Sequence, residues 1–333
     1  MHLKVRVYGS RMTNDLIHSF PTLVKNSFQT IEEYSSALSP LNLSGSQLSK
    51  GDFNGRSKTI KSNSFVLSIR EADAKHFQNA QINHSIIGMI FPLVPNEYIS
   101  NGKCLGPEKQ YIIFRGEDNK VIFPQNHKHI SLLFNTNDLY NYFSEDEVQL
   151  FIKTYQDIST GMVSSDQKLL LTQKLYNLFE TFKQLDRNHI NIELVYKDAY
   201  DSLFHSLFNY QQAHSSRKID RVKNNERLLT RALEYIDSES LQTLTVSSLV
   251  NNIHASSRSI QYCFSELLGM TPKKYLVRLR LNAIRRELNE SSPNEKTITN
   301  IANKYGVINI GRFKQDYEQF FNETPRETLN NSY

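Results

Sequence analysis

Apolar positions along this chain fall into distinct regimes. Near the C-terminus one helical pattern is written twice, as TVSSLVNNIHASSRSIQYCFSELLGMTP over Thr245–Pro272 and TITNIANKYGVINIGRFKQDYEQFFNETP over Thr297–Pro325. Val246, Leu249, Val250 and Ile253 match Ile298, Ile301, Ala302 and Tyr305 at an offset of 52. Ile260, Phe264, Leu267, Leu268 and Pro272 match Phe313, Tyr317, Phe320, Phe321 and Pro325 at 53, so the second turn holds one extra residue. Two copies are too few for a solenoid, and the pattern predicts a duplicated helix pair.

The rest of the chain reads differently. Up to about residue 140, short runs rich in β-branched and aromatic residues are punctuated by Gly, Pro, Asn and Asp: Phe65–Ala72, Ser85–Leu93, Gln110–Gly116, Lys120–Pro124 and His129–Asn135. Such runs predict an antiparallel sandwich or small barrel, and a barrel of this size can hold one small ligand. A helix is expected over Phe28–Leu38, and Ser39–Gly55 reads as loop with room for a short strand. Between 145 and 214 the period becomes helical. Leu171, Leu175, Leu178, Phe182 and Leu185 form a heptad-like stripe, and Ile192, Val195, Ala199, Leu203 and Leu207 mark a second helix. The stripe can pack on the β-domain or join two copies of the chain. The polar stretch Gln211–Glu226 reads as a linker or an exposed helix start.

The expected fold class is therefore α+β. Residues 1–160 form a β-rich sensor domain, 161–214 a helical hairpin that can dimerise, 215–226 a linker, and 227–333 an all-α domain of two helix-turn-helix units. In that last domain Leu228, Leu229, Ala232, Leu233 and Ile236 mark a packing helix. Ser257–Leu268 keeps Ile260, Phe264, Leu267 and Leu268 on one face and offers Arg258, Gln261 and Tyr262 elsewhere. That is the chemistry of a major-groove reader, since Arg matches guanine edges and Gln adenine edges. Gly269 suits a left-handed helix end, and Thr271-Pro272 supplies a cap and a first-turn proline. The helix from Pro272 to about Leu288 then spans about 25 Å, close to the roughly 34 Å between successive major grooves. Ile310–Phe321 repeats the reading helix with Arg312, Lys314 and Gln315; Asp316, Glu318 and Glu323 are expected to face away from DNA.

Charge and composition sharpen the picture. Residues 215–333 hold 18 Lys+Arg against 13 Asp+Glu, the whole net charge of +5, which points to an acidic partner for that segment. Hydrophobic content of 39% and charged content of 22% are those of an ordinary globular protein, and no apolar run reaches the length of a membrane span. With no long apolar stretch at the N-terminus and two cysteines, Cys104 and Cys263, the chain reads as cytoplasmic, with no disulfide framework.

Arg227–Leu329 resembles the DNA-binding domain of the AraC/XylS family of bacterial transcription regulators. The matching pattern is Ala302, Gly306, Phe313, Tyr317 and Pro325, with Ile260, Phe264, Gly269 and Pro272 in the first unit. Val307 stands where the family usually has Phe, which loosens packing behind the second unit, and Asn322 where it usually has Gly. The resemblance implies base contacts at Arg258, Gln261 and Tyr262, then at Gly311, Arg312 and Gln315; Gly311 brings no side chain, so the second unit reads fewer bases. Backbone or support positions are expected at Ser256, Ser257, Ser259, Lys273, Arg285, Arg286, Asn309 and Lys314. Arg278–Leu288, Gly311–Leu329 and Leu48–Ile60 also look like the branch that includes ethanolamine-utilisation operon activators. The implied partners are double-stranded promoter DNA, RNA polymerase, a small-molecule effector and a second copy of the chain, with no membrane.

Other chemistry is weaker. His127-Lys128-His129 has a metal-site spacing, but no carboxylate follows from Ile130 to Thr136 and Val121 stands where a glycine is expected; the histidines read as exposed or locally bonded, and no metal is expected. Without a nucleophile elbow, Walker or dinucleotide motif, no cofactor and no enzymatic activity are expected. Control by a protein partner, and an enzyme with a DNA-targeting domain, are the alternative readings.

Overall fold

The structure is a computed structural model. It describes residues 22–38, 41–61, 65–106, 109–114, 119–156, 160–162, 165–184, 224–291 and 297–330. The expected helix at Ile192–Tyr210 and most of the polar stretch after it lie outside the described residues.

Two antiparallel sheets form the N-terminal half. The larger runs β1 (Thr22–Phe28), β3 (Gly55–Lys61), β4 (Phe65–Ala72), β11 (His127–Asn135), β6 (Ile86–Pro92), β9 (Lys109–Phe114), β12 (Thr160–Met162). The smaller runs β2 (Asn42–Gln47), β5 (His76–Gln81), β10 (Asn119–Phe123), β7 (Tyr98–Ser100), β8 (Lys103–Leu105). The middle strands of the larger sheet, β4, β11 and β6, are buried on both faces. Leu67, Met89 and Leu132 pack under Phe151 of α3 (Glu145–Gln156) and under Leu175, Phe179 and Phe182 of α4 (Ser165–Gln184). Ile90, Ile112, Val121 and Phe123 meet in another cluster, to which both sheets contribute. The described part of the helical stripe thus packs on the β-domain. A small cavity, partly open to solvent, has strands of both sheets on its wall, including Val121 and Leu133.

Two local expectations are corrected. Phe28 closes strand β1, and the helix is the shorter α1 (Ile31–Ser36), started by the Thr30 hydroxyl accepting from the Glu33 amide. A short helix, α2 (Thr136–Leu139), follows β11. His127 and His129 are not exposed: they are 1% and 2% accessible and stack on each other, with ring centroids 5.3 Å apart. His76 joins them, 4.9 Å from His127, and Arg70 lies over the neighbouring Tyr34 ring at 3.9 Å. Burial pushes His76 down to about 3 and holds His127 and His129 well below the ordinary imidazole range, with positive neighbours adding to the effect. Among the described residues, no group of three or more His, Cys, Asp or Glu side chains is arranged to hold a metal.

The C-terminal half is helical: α5 (Asn224–Ser238), α6 (Val246–Asn252), α7 (Ser257–Cys263), α8 (Pro272–Asn289), α9 (Ile298–Lys304), α10 (Ile310–Phe321) and α11 (Pro325–Asn330). Its first helix starts three residues earlier than expected, inside the segment read as linker. From Phe264 to Leu268 the chain widens into a π turn before Gly269 ends it at φ 68°. The first unit shares a core with the β-domain, because Leu48, Ile99 and Ile122 pack with Leu229, Leu249, Ile260 and Phe264. The second unit has its own core of Ile284, Ile301, Phe313, Tyr317 and Phe321, with Val307 partly buried against it. Among the described residues no helix is long and apolar enough to cross a membrane.

Candidate nucleic-acid interface

Capping builds each reading helix. The Ser256 hydroxyl accepts from the Ser259 amide at 3.1 Å, and the preceding turn holds His254 at φ 49°. Ile260, Cys263 and Phe264 then anchor α7 from below, each 0% accessible. What remains outward is Ser257, Arg258, Ser259, Gln261 and Tyr262, all exposed, with Tyr262 at 59%. An apolar underside that is fully engaged fixes the helix; an outer face of guanidinium, amide and phenol is left free to meet base edges. The Cys263 thiol donates to the Asn225 carbonyl at 3.1 Å, and burial raises it to about 12, so it is no ready thiolate.

The second unit repeats this with differences. The Asn309 side chain caps α10 by accepting from the Arg312 amide at 2.9 Å. Arg312, Lys314 and Gln315 are exposed. Asp316 does not face away: it pairs with Arg312 at 3.1 Å, one helical turn on, and so lies beside a candidate reader. Gly311 is exposed, and a Cβ there would meet only the Asn309 side chain, at 3.5 Å. Its missing side chain therefore reflects no steric demand of the fold. Asn322 ends the helix at φ 57°, the left-handed conformation expected of it. Sequence reasoning passed over Ile308, which is 97% accessible in the turn before α10. Only its place next to the N-cap could have drawn attention to it, and an apolar side chain there suits a thymine methyl group.

Helix α8 is where expectation and structure part. Lys273 and Lys274 are exposed, as a phosphate contact requires. Arg278 donates to the Leu48 carbonyl, and Arg280 to the carbonyls of Leu241 and Leu244. Arg286 donates to the Gly45 carbonyl at 3.2 Å. Arg285 is 8% accessible, pairs with Glu323 at 2.8 Å and lies over the Phe321 ring at 4.5 Å. Arg285 and Arg286 are thus withdrawn from the set of backbone contacts. The reason is packing: their helix lies against β2, and their guanidinium groups satisfy carbonyl and carboxylate groups that this contact removes from water.

Comparison with known proteins agrees with the duplicated pattern. A helix-turn-helix domain family matches residues 249–331. The probable thc operon regulatory protein of Rhodococcus erythropolis is 35% identical over 98 residues, which are 29% of this chain and 30% of that protein. A XylDLEGF operon transcriptional activator of Pseudomonas putida is 34% identical over 99 residues, 30% of this chain and 31% of that one. A solved AraC-type transcriptional regulator from Chromobacterium violaceum is 28% identical, covering 32% of this chain and 93% of its own, with a TM-score of 0.30. The chain matches only about a third of the length of these curated relatives. Residues 249–331 thus carry a helix-turn-helix domain similar to those of AraC/XylS-type regulators.

Proposed function

We propose that the chain is a sequence-specific transcription regulator that binds double-stranded promoter DNA and answers a small-molecule effector through its β-domain. The observation that carries this is the pair of capped, apolar-anchored helices that leave Arg258, Gln261 and Tyr262, then Arg312 and Gln315, outward. Serines 256, 257 and 259, Lys273, Asn309 and Lys314 are the supporting contacts. The cavity in the β-domain favours a small molecule over a protein partner as the signal. The sign of regulation is activation through RNA polymerase, as the name of the P. putida relative suggests. A homodimer is the working form, with Leu169 and Leu170 of α4, 59% and 55% accessible, as its contact; a monomer by sedimentation on operator DNA would remove that part.

Genome-wide mapping of bound sites followed by fluorescence anisotropy tests the whole. Arg258→Ala is expected to cost about 1–3 kcal/mol on a mapped site and to relax preference at one base pair. An unchanged sequence profile would remove Arg258 as a reader. Lys273→Ala is expected to weaken all sequences alike and to make the slope of log K against log salt shallower by about one. If the slope holds, Lys273 is merely solvated.

A further inference from the structure

The cavity in the β-domain has a specific chemistry. Leucines 41, 43 and 133 make it apolar, and among the described residues its wall contains no Asp, Glu, Lys or Arg. Its few polar groups are unevenly engaged. Gln78 donates to the Ser35 hydroxyl at 3.0 Å and Asn119 to the Ala80 carbonyl at 3.2 Å. His129 is 2% accessible, lines the cavity, and its Nδ1 has no hydrogen-bond partner among the described residues. A buried polar atom without a partner is costly, and a ligand's hydroxyl, amide or carbonyl group would satisfy it. A carboxylate or ammonium would find no counter-charge on this wall.

The same wall leads to the DNA-binding half. Among the described residues strand β2 is the edge of its sheet, paired with β5 alone. Leu43, in its first half, lines the cavity. Its second half presents a free edge, and α8 covers it. The Asn282 carboxamide, 0% accessible, accepts from the Gln47 amide at 2.8 Å and donates to the Gln47 carbonyl at 3.0 Å, as a neighbouring strand would. Arg286 and Arg278 take the carbonyls of Gly45 and Leu48 on either side. One six-residue strand therefore touches both the cavity and the helix that joins the two reading units.

We propose that this cavity binds an uncharged, mostly apolar small molecule that hydrogen-bonds His129, and that strand β2 carries its occupancy to helix α8. This rests on the reading of the β-domain as a sensor and names the class of ligand and the route of its signal. A ligand can shift α8 only by favouring one placement of β2 over another, which the shared strand makes direct.

The test uses the full chain and three probes of one ring size: 1-naphthol, naphthalene and 1-naphthoate. Calorimetry is expected to show saturable one-to-one binding of 1-naphthol, at least tenfold tighter than 1-naphthoate. His129→Phe should remove the advantage of 1-naphthol over naphthalene while naphthalene binding persists. Should that variant fail to fold, the wild-type ranking decides: 1-naphthoate equal to or tighter than 1-naphthol overturns the ligand class. Hydrogen exchange then follows the route. Saturation with 1-naphthol is expected to change exchange at least threefold at the Gln47 amide and along 272–289; a change confined to other cavity strands overturns the β2 link. DNA binding without probe is measured in parallel. A chain that binds DNA but ignores 1-naphthol refutes this inference alone, whereas one that binds the probe and no DNA refutes the regulator reading instead.

Discussion

Replacing Arg285 by alanine is expected to lower the stability of the C-terminal half by about 3 kcal/mol and to leave the salt slope of DNA binding unchanged. Removing one partner of a buried ion pair costs about 3–5 kcal/mol, because the other charge stays behind. The lower end applies here, since the Glu323 side chain keeps 23% of its surface in water. The substitution also strips a cation from above the Phe321 ring and from the neighbourhood of Glu32, whose carboxylate is buried on the β-domain side. Burial already raises the Glu32 pKa against the pull of Arg285 and Arg286, so losing one of them should leave that carboxyl protonated more of the time. Urea denaturation monitored by far-ultraviolet circular dichroism gives the stability, and anisotropy at several salt concentrations gives the slope. Arg285→Lys should recover part of the loss. A shallower slope with undiminished stability would return Arg285 to the phosphate contacts.

Acid is expected to have an effect at least as large. His76, His127 and His129 all have folded pKa values below that of an unfolded imidazole, near 6.5. The unfolded chain therefore takes up protons first as pH falls. The stability these residues contribute is complete above about pH 6.5 and is lost progressively as pH falls, down to about pH 3 for His76. Each imidazole costs about 1.4 kcal/mol for each pH unit below its unfolded value, so the three together remove about 3–4 kcal/mol between pH 7.5 and 5.5. Urea midpoints at the two pH values measure this. His76→Phe, which keeps a ring stacked against Phe123, should flatten the profile by about a third. A wild-type midpoint that does not move over this range would contradict the depressed pKa values.

What could be read from the sequence follows from how each segment is solvated. Strands β4, β6 and β11 lie in a sheet covered on both faces, so they run apolar and were visible. Strand β2 reads NLSGSQ and β5 reads HFQNAQ, and neither shows an apolar alternation. The Gln47 backbone is satisfied by Asn282 of a distant helix and the Gln78 side chain by a serine on α1, and no local pattern encodes that. The reading helices were legible because period and helix ends are local: Gly269 and Asn322 end them where spacing placed them, whereas Ser256 and Asn309, read as backbone supports, turn out to be the N-caps. The arginines of α8 were not. Charge on a helix looks the same whether it meets phosphate or a backbone carbonyl some 230 residues earlier, as Arg278 does.

The shared core of the first unit and the β-domain bears on how such chains can be reassembled. Recombination tends to join modules at polar connectors, and the stretch before Asn224 offers one. A crossover there would part Leu48, Ile99 and Ile122 from Leu229 and Phe264, splitting a single hydrophobic interior between two parents. Gly102 adds a second constraint, because any Cβ at that position would stand 2.7 Å from the Thr230 amide nitrogen. A workable hybrid of this chain must therefore carry its loop 48–52, the 99–102 turn and helix α5 together, so the heritable unit of exchange is larger than the helix-turn-helix module itself.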